Sequence, residues 1–307
     1  MSSSVPLSSL PGCGPIGIIG LGRMGGAFAV NLQMDGHVVV VHDRDPHRLE
    51  PFAACGAKVA ETLGEMADCA VVLTSLPNDE ALEETILGDG GLARLLRPGA
   101  LHIATGTISP VLSRRLAEQH DRLDQGYVAA PVLGNPDLAR ARALYILAAG
   151  RVADMNKAVP LLGRLGQRVF PLGERAEAAN FVKLAANVLT ATTLEAFGEV
   201  LALMRKVGID RHVAFDVFTN SLFDSKVHRV YGGKIVDEKF TPPGMAVPLA
   251  VKDLRLALAE AERAAVPMPA ASLVHDRLVG LVARGWGDLD WSALGLLAAR
   301  DAGLDVA

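Results

Sequence analysis

The sequence predicts an α/β fold, with a doubly wound parallel sheet in the amino-terminal half, one long helix after it and an all-helical carboxyl-terminal part. Three observations lead to this prediction. From Ile16 onward, short and continuously apolar runs alternate with helical stretches, as a parallel sheet covered on both faces requires. A glycine-rich turn follows the first apolar run. Beyond Gly173, roughly thirty residues contain no proline and carry apolar side chains at helical spacing.

The first half contains apolar runs separated by helical stretches. The runs expected to form strands are IGIIG at 16–20, HVVVVHD at 37–43, CAVVLTSL at 69–76, ALHIATG at 100–106, GYVAAPVL at 126–133, ALYILAAG at 143–150 and RVFPLG at 168–173. Helices are expected at 23–36, 46–55 and 110–120. This order is typical of a doubly wound α/β domain.

The second half is expected to contain helices only. Residues 174–206 predict one long helix, and further helices are expected near 208–220, 222–235, 248–264, 268–284 and 291–302. We therefore expect a loose tail at 1–15, a dinucleotide-binding domain at 16–173, and an all-helical substrate and oligomerisation domain at 174–307.

Composition excludes several classes of function. The chain has 307 residues, 50% of them hydrophobic, which is enough for two cores. A net charge of -4 without a basic block argues against nucleic acid, and no apolar run is long enough to span a membrane. Three cysteines without CxxC spacing predict neither a disulfide framework nor a metal site. Since the first residues lack a signal-peptide pattern, a cytoplasmic protein is expected.

The glycine-rich turn has the GxGxxG spacing of a Rossmann-type dinucleotide site. Gly20 would permit the tight turn, Gly22 would let the backbone approach a pyrophosphate, and Gly25 would let the helix pack close to the strand. The residues expected to contact the cofactor here are Gly20, Leu21, Gly22, Arg23, Met24 and Gly25. A plain tight turn is the alternative, and the flanking strand and helix favour the nucleotide site.

The end of the second strand bears on the choice of cofactor. An acid at this position accepts hydrogen bonds from the ribose hydroxyls of NAD, whereas an arginine accommodates the 2'-phosphate of NADP. This chain has both, Asp43 followed by Arg44. The sequence leaves NAD and NADP open.

Several ordered motifs then carry a resemblance to a known family. They are GLGRMG at 20–25 with Asn31-Leu32, Leu76-Pro77-Asn78, Thr107-Ile108-Ser109-Pro110, Ala130-Pro131-Val132, Lys183-x-x-x-Asn187 and Lys252-Asp253-Leu254. Together they resemble the β-hydroxyacid dehydrogenase family, which includes 3-hydroxyisobutyrate dehydrogenases, tartronate semialdehyde reductases and glyoxylate/succinic semialdehyde reductases. The resemblance spans nearly the whole chain from Ile16.

The resemblance implies an NAD(P)-dependent enzyme that moves hydride between nicotinamide and a small β-hydroxy acid or semialdehyde. It implies a site in the cleft between the two domains and assembly as a homodimer or homotetramer. The residues that it places in the site are Lys183 as the catalytic lysine, Asn187 as its neighbour, Leu76, Pro77, Asn78 and Thr107 beside the nicotinamide, and Lys252 and Asp253 from the helical domain.

The spacing of Lys183 and Asn187 is compatible with that chemistry. Residues four apart lie one turn apart on one helix face. An ammonium desolvated in a cleft has a lowered pKa, so it can give and take a proton near neutral pH. Taken alone, Lys183 reads as a solvated helix lysine, and only the set of motifs favours the catalytic role.

Two departures from the family pattern concern the substrate. Where the family has a serine and glycines that hold a carboxylate, this chain has Leu133-Gly134-Asn135, and Gly106 replaces another serine. We expect Thr107, Leu133, Gly134 and Asn135 to line the substrate position. The loss of hydroxyl donors makes a bulkier, less polar or uncharged substrate plausible, although Asn135 can supply one donor.

Two other classes of function stay open. Imine reductases and reductive aminases share the architecture but generally have Asp or Tyr where Lys183 stands. A non-catalytic dinucleotide-binding protein would have no reason to keep both Lys183 and Asn187. The decarboxylating 6-phosphogluconate pattern Lys-x-x-His-Asn is broken by Ala186.

Overall fold

The computed structural model describes residues 14–305 and divides into two compact units. One unit ends at Lys183 and the other begins at Leu184, so the division falls within a long helix rather than at its start. The tail expected at 1–15 lies, for residues 1–13, outside the described residues.

The first unit is built on a sheet of nine described strands. They are β1 Ile16–Ile19, β2 Val39–His42, β3 Lys58–Val59, β4 Val71–Thr74, β5 Leu101–Ala104, β6 Gly126–Ala129, β7 Val132–Leu133, β8 Leu144–Gly150 and β9 Gly166–Pro171. Their order is β3-β2-β1-β4-β5-β6-β8-β7, with β9 paired to β8. The strands from β3 to β6 in this order run parallel, and the predicted fold class is confirmed.

The sheet is mixed, which the prediction of a parallel sheet did not include. Strand β8 pairs antiparallel with both β6 and β7. The run predicted as one strand at 126–133 is divided into β6 and β7 at Pro131, which has no N–H to donate to a neighbouring strand. Strand β8 then follows β7 through a connection too short for the crossover that a parallel neighbour needs.

Helices cover both faces of this sheet. In the first unit they are α1 Arg23–Met34, α2 Glu50–Ala54, α3 Asp79–Leu87, α4 Leu92–Leu95, α5 Pro110–Arg122, α6 Pro136–Arg140 and α7 Val152–Leu162. The single helix predicted at 46–55 is a 3-10 turn at Pro46–Arg48 followed by α2. One apolar cluster joins alternate strand residues such as Ile18 and Val41 to α1 and α7, and a second joins Ile19 and Val40 to α3 and α5.

The second unit is all-helical around one apolar core. Helix α8 spans Glu177–Lys206 and is followed by α9 Arg211–Thr219, α10 Gly233–Val236, α11 Val247–Arg263, α12 Pro269–Ala283 and α13 Leu294–Asp301. The helix predicted at 222–235 is a π-helical turn at His228–Gly232 that continues into α10. Among residues 14–305, no helix is both long enough and apolar enough to cross a membrane.

Candidate cofactor and substrate site

The glycine turn connects β1 to α1. Gly20 has a φ of +88°, which side-chain-bearing residues rarely adopt, and its N–H donates to the His42 carbonyl at 3.0 Å. A Cβ at Gly20 would lie 2.5 Å from the Ser75 carbonyl oxygen. At Gly25 a Cβ would lie 1.9 Å from the Gly20 carbonyl oxygen, so only glycine lets α1 begin this close to the turn.

Gly22 differs from these two positions. Apart from its chain neighbours, a Cβ there would approach only Arg48 Nη1, at 3.8 Å, among the described residues. Gly22 is the N-cap of α1, a helix of 12 residues, and no side chain of residues 14–305 caps it. The open backbone at Gly22 and the N–H groups of the first helical turn, which have no acceptor within an α-helix, fit the pyrophosphate of a dinucleotide.

Asp43 directly follows β2 and stabilises the glycine turn through a hydrogen bond. It is buried, and its Oδ2 accepts a hydrogen bond from Leu21 N at 2.7 Å while its Oδ1 accepts from Asp45 N at 2.9 Å. Arg44 beside it is exposed. Arg48 Nη1 lies 3.7 Å from Asp43 Oδ2. The sequence analysis did not identify Arg48. A usable signal was Asp45, which caps the 3-10 turn that contains Arg48.

The ends of β4 and β5 form the next part of this edge. Strands β2 and β4 lie on opposite sides of β1, so the strand order changes direction at β1. In such sheets, ligands bind beyond the carboxyl ends of the strands at this point. Ser109 N donates to Asp79 Oδ1 at 2.9 Å, which ties the loop after β5 to the loop after β4. Thr107 lies half-buried in the first of these loops, and Leu76 lies half-buried in the second.

Gly106 occupies its position for a steric reason. A Cβ there would lie 2.6 Å from the Leu76 carbonyl oxygen, so the two loops touch through their backbones. The expectation that Gly106 merely lacks a hydroxyl donor is therefore incomplete, because a serine has no room without a shift of one loop.

The other residues of the first unit that are predicted to contact the cofactor differ in their burial and hydrogen bonding. Asn78 caps α3, accepting a hydrogen bond from Ala81 N at 2.9 Å, and Pro77 is exposed. Met24 packs partly against the apolar core, whereas Arg23 is exposed.

The predicted substrate loop at 132–135 is anchored by α6. Asn135 caps that helix, and its Oδ1 accepts from Leu138 N at 3.0 Å, so its Nδ2 is the only donor that its side chain can offer a ligand. Gly134 has a φ of +140°. Leu133 packs half-buried against an apolar cluster of the first unit.

Helix α8 presents a polar row on one face. Lys183 is half-buried, Asn187 lies one turn further along and is 5% exposed, and Asn180 lies about one turn before Lys183 and is 1% exposed. The side-chain oxygen of Asn180 is buried and accepts no hydrogen bond from the described residues. The sequence analysis did not identify Asn180, although its place about one turn before Lys183 was a usable signal.

In the second unit, Asn187 and α11 form a buried polar cluster. Asn187 Nδ2 donates to Asp253 Oδ2, and Lys252 Nζ lies 3.0 Å from Asp253 Oδ1. Asp253 is 2% exposed. A buried carboxylate is costly unless it is paired, and here an ammonium and an amide N–H pair it. Three of the predicted site residues are thus brought together in this unit.

Two family models match consecutive parts of the chain. The model described as the NAD binding domain of 6-phosphogluconate dehydrogenase matches residues 15–173. The model described as NAD-binding of NADP-dependent 3-hydroxyisobutyrate dehydrogenase matches residues 178–298.

Named relatives cover nearly the whole chain. An uncharacterised oxidoreductase of Bacillus subtilis, YfjR, is 36% identical over 91% of this chain and 98% of the relative. Glyoxylate/succinic semialdehyde reductase 1 of Arabidopsis thaliana is 30% identical over 91% of this chain and 96% of its own length. The structure of Mycobacterium tuberculosis 3-hydroxyisobutyrate dehydrogenase with L-serine is 27% identical, with a TM-score of 0.84 over 92% of this chain and 98% of that one.

A more distant likeness concerns the imine-reducing enzymes. The reductive aminase of Aspergillus terreus has a TM-score of 0.61 at 22% identity over 92% of this chain and 98% of that one. At that identity the likeness concerns the fold alone.

Proposed function

The chain belongs to the β-hydroxyacid dehydrogenase family and is an NAD(P)-dependent oxidoreductase, and we propose that Lys183 is its general acid and base. The proposed reaction interconverts a small β-hydroxy acid, or a related alcohol, and its semialdehyde or other carbonyl form. A small molecule is the substrate.

The bound nicotinamide supplies the hydride in reduction and accepts it in oxidation. In reduction, Lys183 Nζ donates a proton to the carbonyl oxygen as negative charge develops on it. In oxidation, the same nitrogen removes the hydroxyl proton of the alcohol. Asn187, one turn away on α8, orients the reacting oxygen or the lysine through its side-chain amide.

One observation carries this proposal: Lys183 and Asn187 share a face of α8, and Asn187 is fixed by the buried carboxylate of Asp253. A solvated surface lysine would need no such neighbour. The half-buried position of Lys183 also supports a role other than surface solubility.

The cofactor contacts of the first unit are proposed on the same basis. We propose that the N-terminus of α1 binds the pyrophosphate, that Leu76 to Asn78 and Thr107 flank the nicotinamide, and that Lys252 assists from α11. We propose that Asp43 and Arg44 bind the adenosine ribose and its substituent, because they follow the second strand of the glycine-turn unit. Arg48 adds a second guanidinium near Gly22. The two arginines favour NADP without excluding NAD.

The substrate loop supports a substrate less dependent on carboxylate recognition. Leu133 packs against apolar side chains, Gly106 has no room for a hydroxymethyl group, and Asn135 offers a single donor. A substrate that is less polar or larger than the shortest hydroxy acids fits these side chains.

A substrate panel tests the proposed function. Oxidation of NADPH and NADH is followed with glyoxylate, succinic semialdehyde, a longer neutral aldehyde and a cyclic imine. We expect reduction of an aldehyde, with a kcat/KM for the neutral aldehyde similar to the kcat/KM for the two acids. Turnover of the imine alone would favour an imine reductase, and binding of NADPH without turnover of any compound would favour a non-catalytic protein.

A matched pair of variants tests the loop. Leu133→Ser should raise kcat/KM for the carboxylate substrates relative to the neutral aldehyde, because it introduces a hydroxyl donor. Val132→Thr, one residue earlier in β7, should leave that ratio unchanged because successive strand residues face opposite sides. Equal ratios in wild type and Leu133→Ser would remove Leu133 from the proposed substrate contacts.

Three further properties are proposed by analogy with the family. We propose that the chain forms a homodimer or homotetramer, that it is cytoplasmic, and that residues 16–173 are a dinucleotide-binding domain and residues 174–307 an all-helical substrate and oligomerisation domain. Sedimentation equilibrium of the purified protein tests the first of these, and a monomeric mass at micromolar concentration would contradict it.

A further inference from the structure

A chain of buried polar side chains crosses the interior of the first unit. Thr74 Oγ1 lies 2.9 Å from His102 Nε2, and His102 Nδ1 lies 2.9 Å from His120 Nε2. His120 Nδ1 lies 2.7 Å from Gln125 Oε1. All four residues are at most 2% exposed. The chain therefore runs from the end of β4 to the loop after α5 without contact with solvent.

Gln125 fixes the direction of this chain. Its Nε2 donates to two backbone carbonyls, Ala93 O at 2.9 Å and Leu96 O at 2.8 Å. The reversed amide would place an oxygen against two oxygens, so Oε1 must face His120. Because an amide oxygen only accepts, His120 Nδ1 carries the hydrogen of that bond.

The remaining hydrogens follow from the neutrality of the two rings. Burial lowers the pKa of His102 well below its ordinary value and lowers the pKa of His120, so both are neutral near pH 7. The Nε2 of His120 is then an acceptor, and His102 Nδ1 donates to it. The Nε2 of His102 is an acceptor in turn, and the Thr74 hydroxyl donates to it.

Thr74 connects this chain to the cofactor edge. Its backbone carbonyl accepts hydrogen bonds from Thr105 N at 2.9 Å and from Thr105 Oγ1 at 2.8 Å. The next two residues, Ser75 and Leu76, lie against Gly20 on one side and Gly106 on the other. Thr74 thus immediately precedes the segment that contacts the glycine turn and the loop after β5.

We propose that His102 and His120 are positioning residues that hold Thr74, and through it the segment 75–78, in register for the nicotinamide. They touch neither substrate nor cofactor. The proposal rests on the proposed function only in placing the nicotinamide beside this segment. The one-way order of hydrogen bonds specifies a single rotamer of Thr74 and a single tautomer of each ring.

Other polar groups lie beside this chain of hydrogen bonds, on the helices and strands that pack around it. Tyr127 of β6 stacks on His120 at a centroid distance of 5.7 Å, and its hydroxyl lies 3.3 Å from Ser113 Oγ of α5. Burial lowers the pKa of His120, whereas the hydrogen bond with Gln125 and the charge of Asp154 of α7 act in the opposite direction. Arg151 pairs with Asp154 at 2.8 Å. Burial raises the pKa of Tyr127, and the charge of Asp79 of α3 acts in the same direction.

The hydrogen positions are tested directly by nuclear magnetic resonance. Nitrogen-15 shifts of the histidine rings in the full-length wild-type protein at pH 7.5 should show His102 and His120 as neutral Nδ1–H tautomers. That tautomer is the minor one for histidine in water. An Nε2–H tautomer or a charged ring at either position would overturn the directed chain.

The positioning role is tested with isosteric and conservative variants of Thr74. Thr74→Val removes the hydroxyl at nearly constant volume, and Thr74→Ser keeps it. Ser113→Ala is the matched control, because it removes a buried hydroxyl from the same layer without entering the chain. NADPH is the probe, and its Kd and the emission of its bound nicotinamide are measured well below the Tm of each variant.

For Thr74→Val we expect an altered nicotinamide emission and a kcat lowered about tenfold on whichever carbonyl the wild type reduces, with the Kd for NADPH changed less than about threefold. Thr74→Ser should restore both readouts, and Ser113→Ala should change neither. Wild-type emission in a folded Thr74→Val protein would overturn the positioning role, whatever its Tm. Since the emission and the ring tautomers need no substrate, this result is separate from any failure of Lys183 as the proton donor.

Discussion

The side-chain amide of Asn187 donates a hydrogen bond of 2.5 Å to the buried carboxylate of Asp253. Because a carboxylate only accepts, this contact fixes which end of the amide faces α11 and which end faces away from it. Asp253 is held in turn by Lys252 at 3.0 Å. Asp253 thus sets the orientation of the Asn187 amide, which is proposed to orient the reacting oxygen or Lys183.

The first prediction is that Asp253→Asn lowers kcat about tenfold, equivalent to about 1.4 kcal/mol of transition-state stabilisation. An asparagine can both donate and accept, so the amide of Asn187 is free to turn over. Steady-state kinetics with NADPH and the best aldehyde measure the effect. Asp276→Asn, an exposed change on α12, serves as the control and should not alter kcat. Wild-type kcat in Asp253→Asn would show that the orientation of Asn187 is unimportant.

The second prediction concerns the selection of the cofactor. Arg44→Ala and Arg48→Ala should each raise the Kd for NADPH about tenfold and change the Kd for NADH much less, because a charge-assisted hydrogen bond to phosphate contributes about 1.5 to 3 kcal/mol. Titration of the bound dinucleotide by fluorescence measures both constants. Arg140→Ala is the control, since Arg140 is exposed and pairs with Asp137 on α6. Equal losses for both cofactors would place these guanidinium groups away from the 2'-phosphate.

The third prediction is that Gly106→Ser destabilises the protein by about 1 to 3 kcal/mol, the usual cost of overpacking. The added Cβ would lie 2.6 Å from the Leu76 carbonyl oxygen, so one of the two loops must move. The Tm and the Kd for NADPH are measured together. Gly64→Ser is the control, because its Cβ would meet only Thr62 Oγ1 at 3.7 Å. An unchanged Tm with improved use of carboxylate substrates would contradict this explanation of Gly106.

The fourth prediction is that the free energy of unfolding falls as the pH drops below about 6.5, by up to about 1.4 kcal/mol per pH unit for each buried histidine. Burial lowers the pKa of both His102 and His120, so in this range the unfolded chain binds more protons than the folded one. Above about pH 6.5 this contribution is constant, because both states are neutral.

Urea denaturation between pH 5 and pH 8 measures this dependence. His102→Asn should reduce the slope below pH 6.5, whereas His47→Gln, which changes an exposed histidine, should leave it unchanged. A slope identical in wild type and His102→Asn would mean that His102 takes up its proton in the folded state.

Much of the fold could be predicted because its signals are local. Continuous apolar runs located β1, β2, β4 and β5, and the absence of proline located α8 to within a few residues of its start. The antiparallel direction of β8 was not predicted, since it depends on the length of a connection and on Pro131 rather than on the composition of the strand. A continuous apolar run indicates a strand buried on both faces, which is typical of parallel sheets, and the buried antiparallel strand β8 has the same kind of run.

The site was predictable where a motif defines it and not where distant residues meet. The glycine turn and the Lys183 to Asn187 spacing are readable from the sequence. The steric reason for Gly106 depends on the Leu76 carbonyl, and the role of His102 depends on Thr74, His120 and Gln125. Such contacts arise from the packing of strands and loops, and no local pattern records them.

The most direct test of the central claim is single-turnover hydride transfer in Lys183→Ala, followed as the decay of NADPH absorbance in a stopped-flow instrument. We predict a rate at least about a hundredfold below wild type, the usual loss for a missing general acid, with the Kd for NADPH nearly unchanged. Lys206→Ala, an exposed lysine at the end of the same helix, should react at the wild-type rate. A rate in Lys183→Ala within a few-fold of wild type would contradict the assignment of Lys183 as the proton donor.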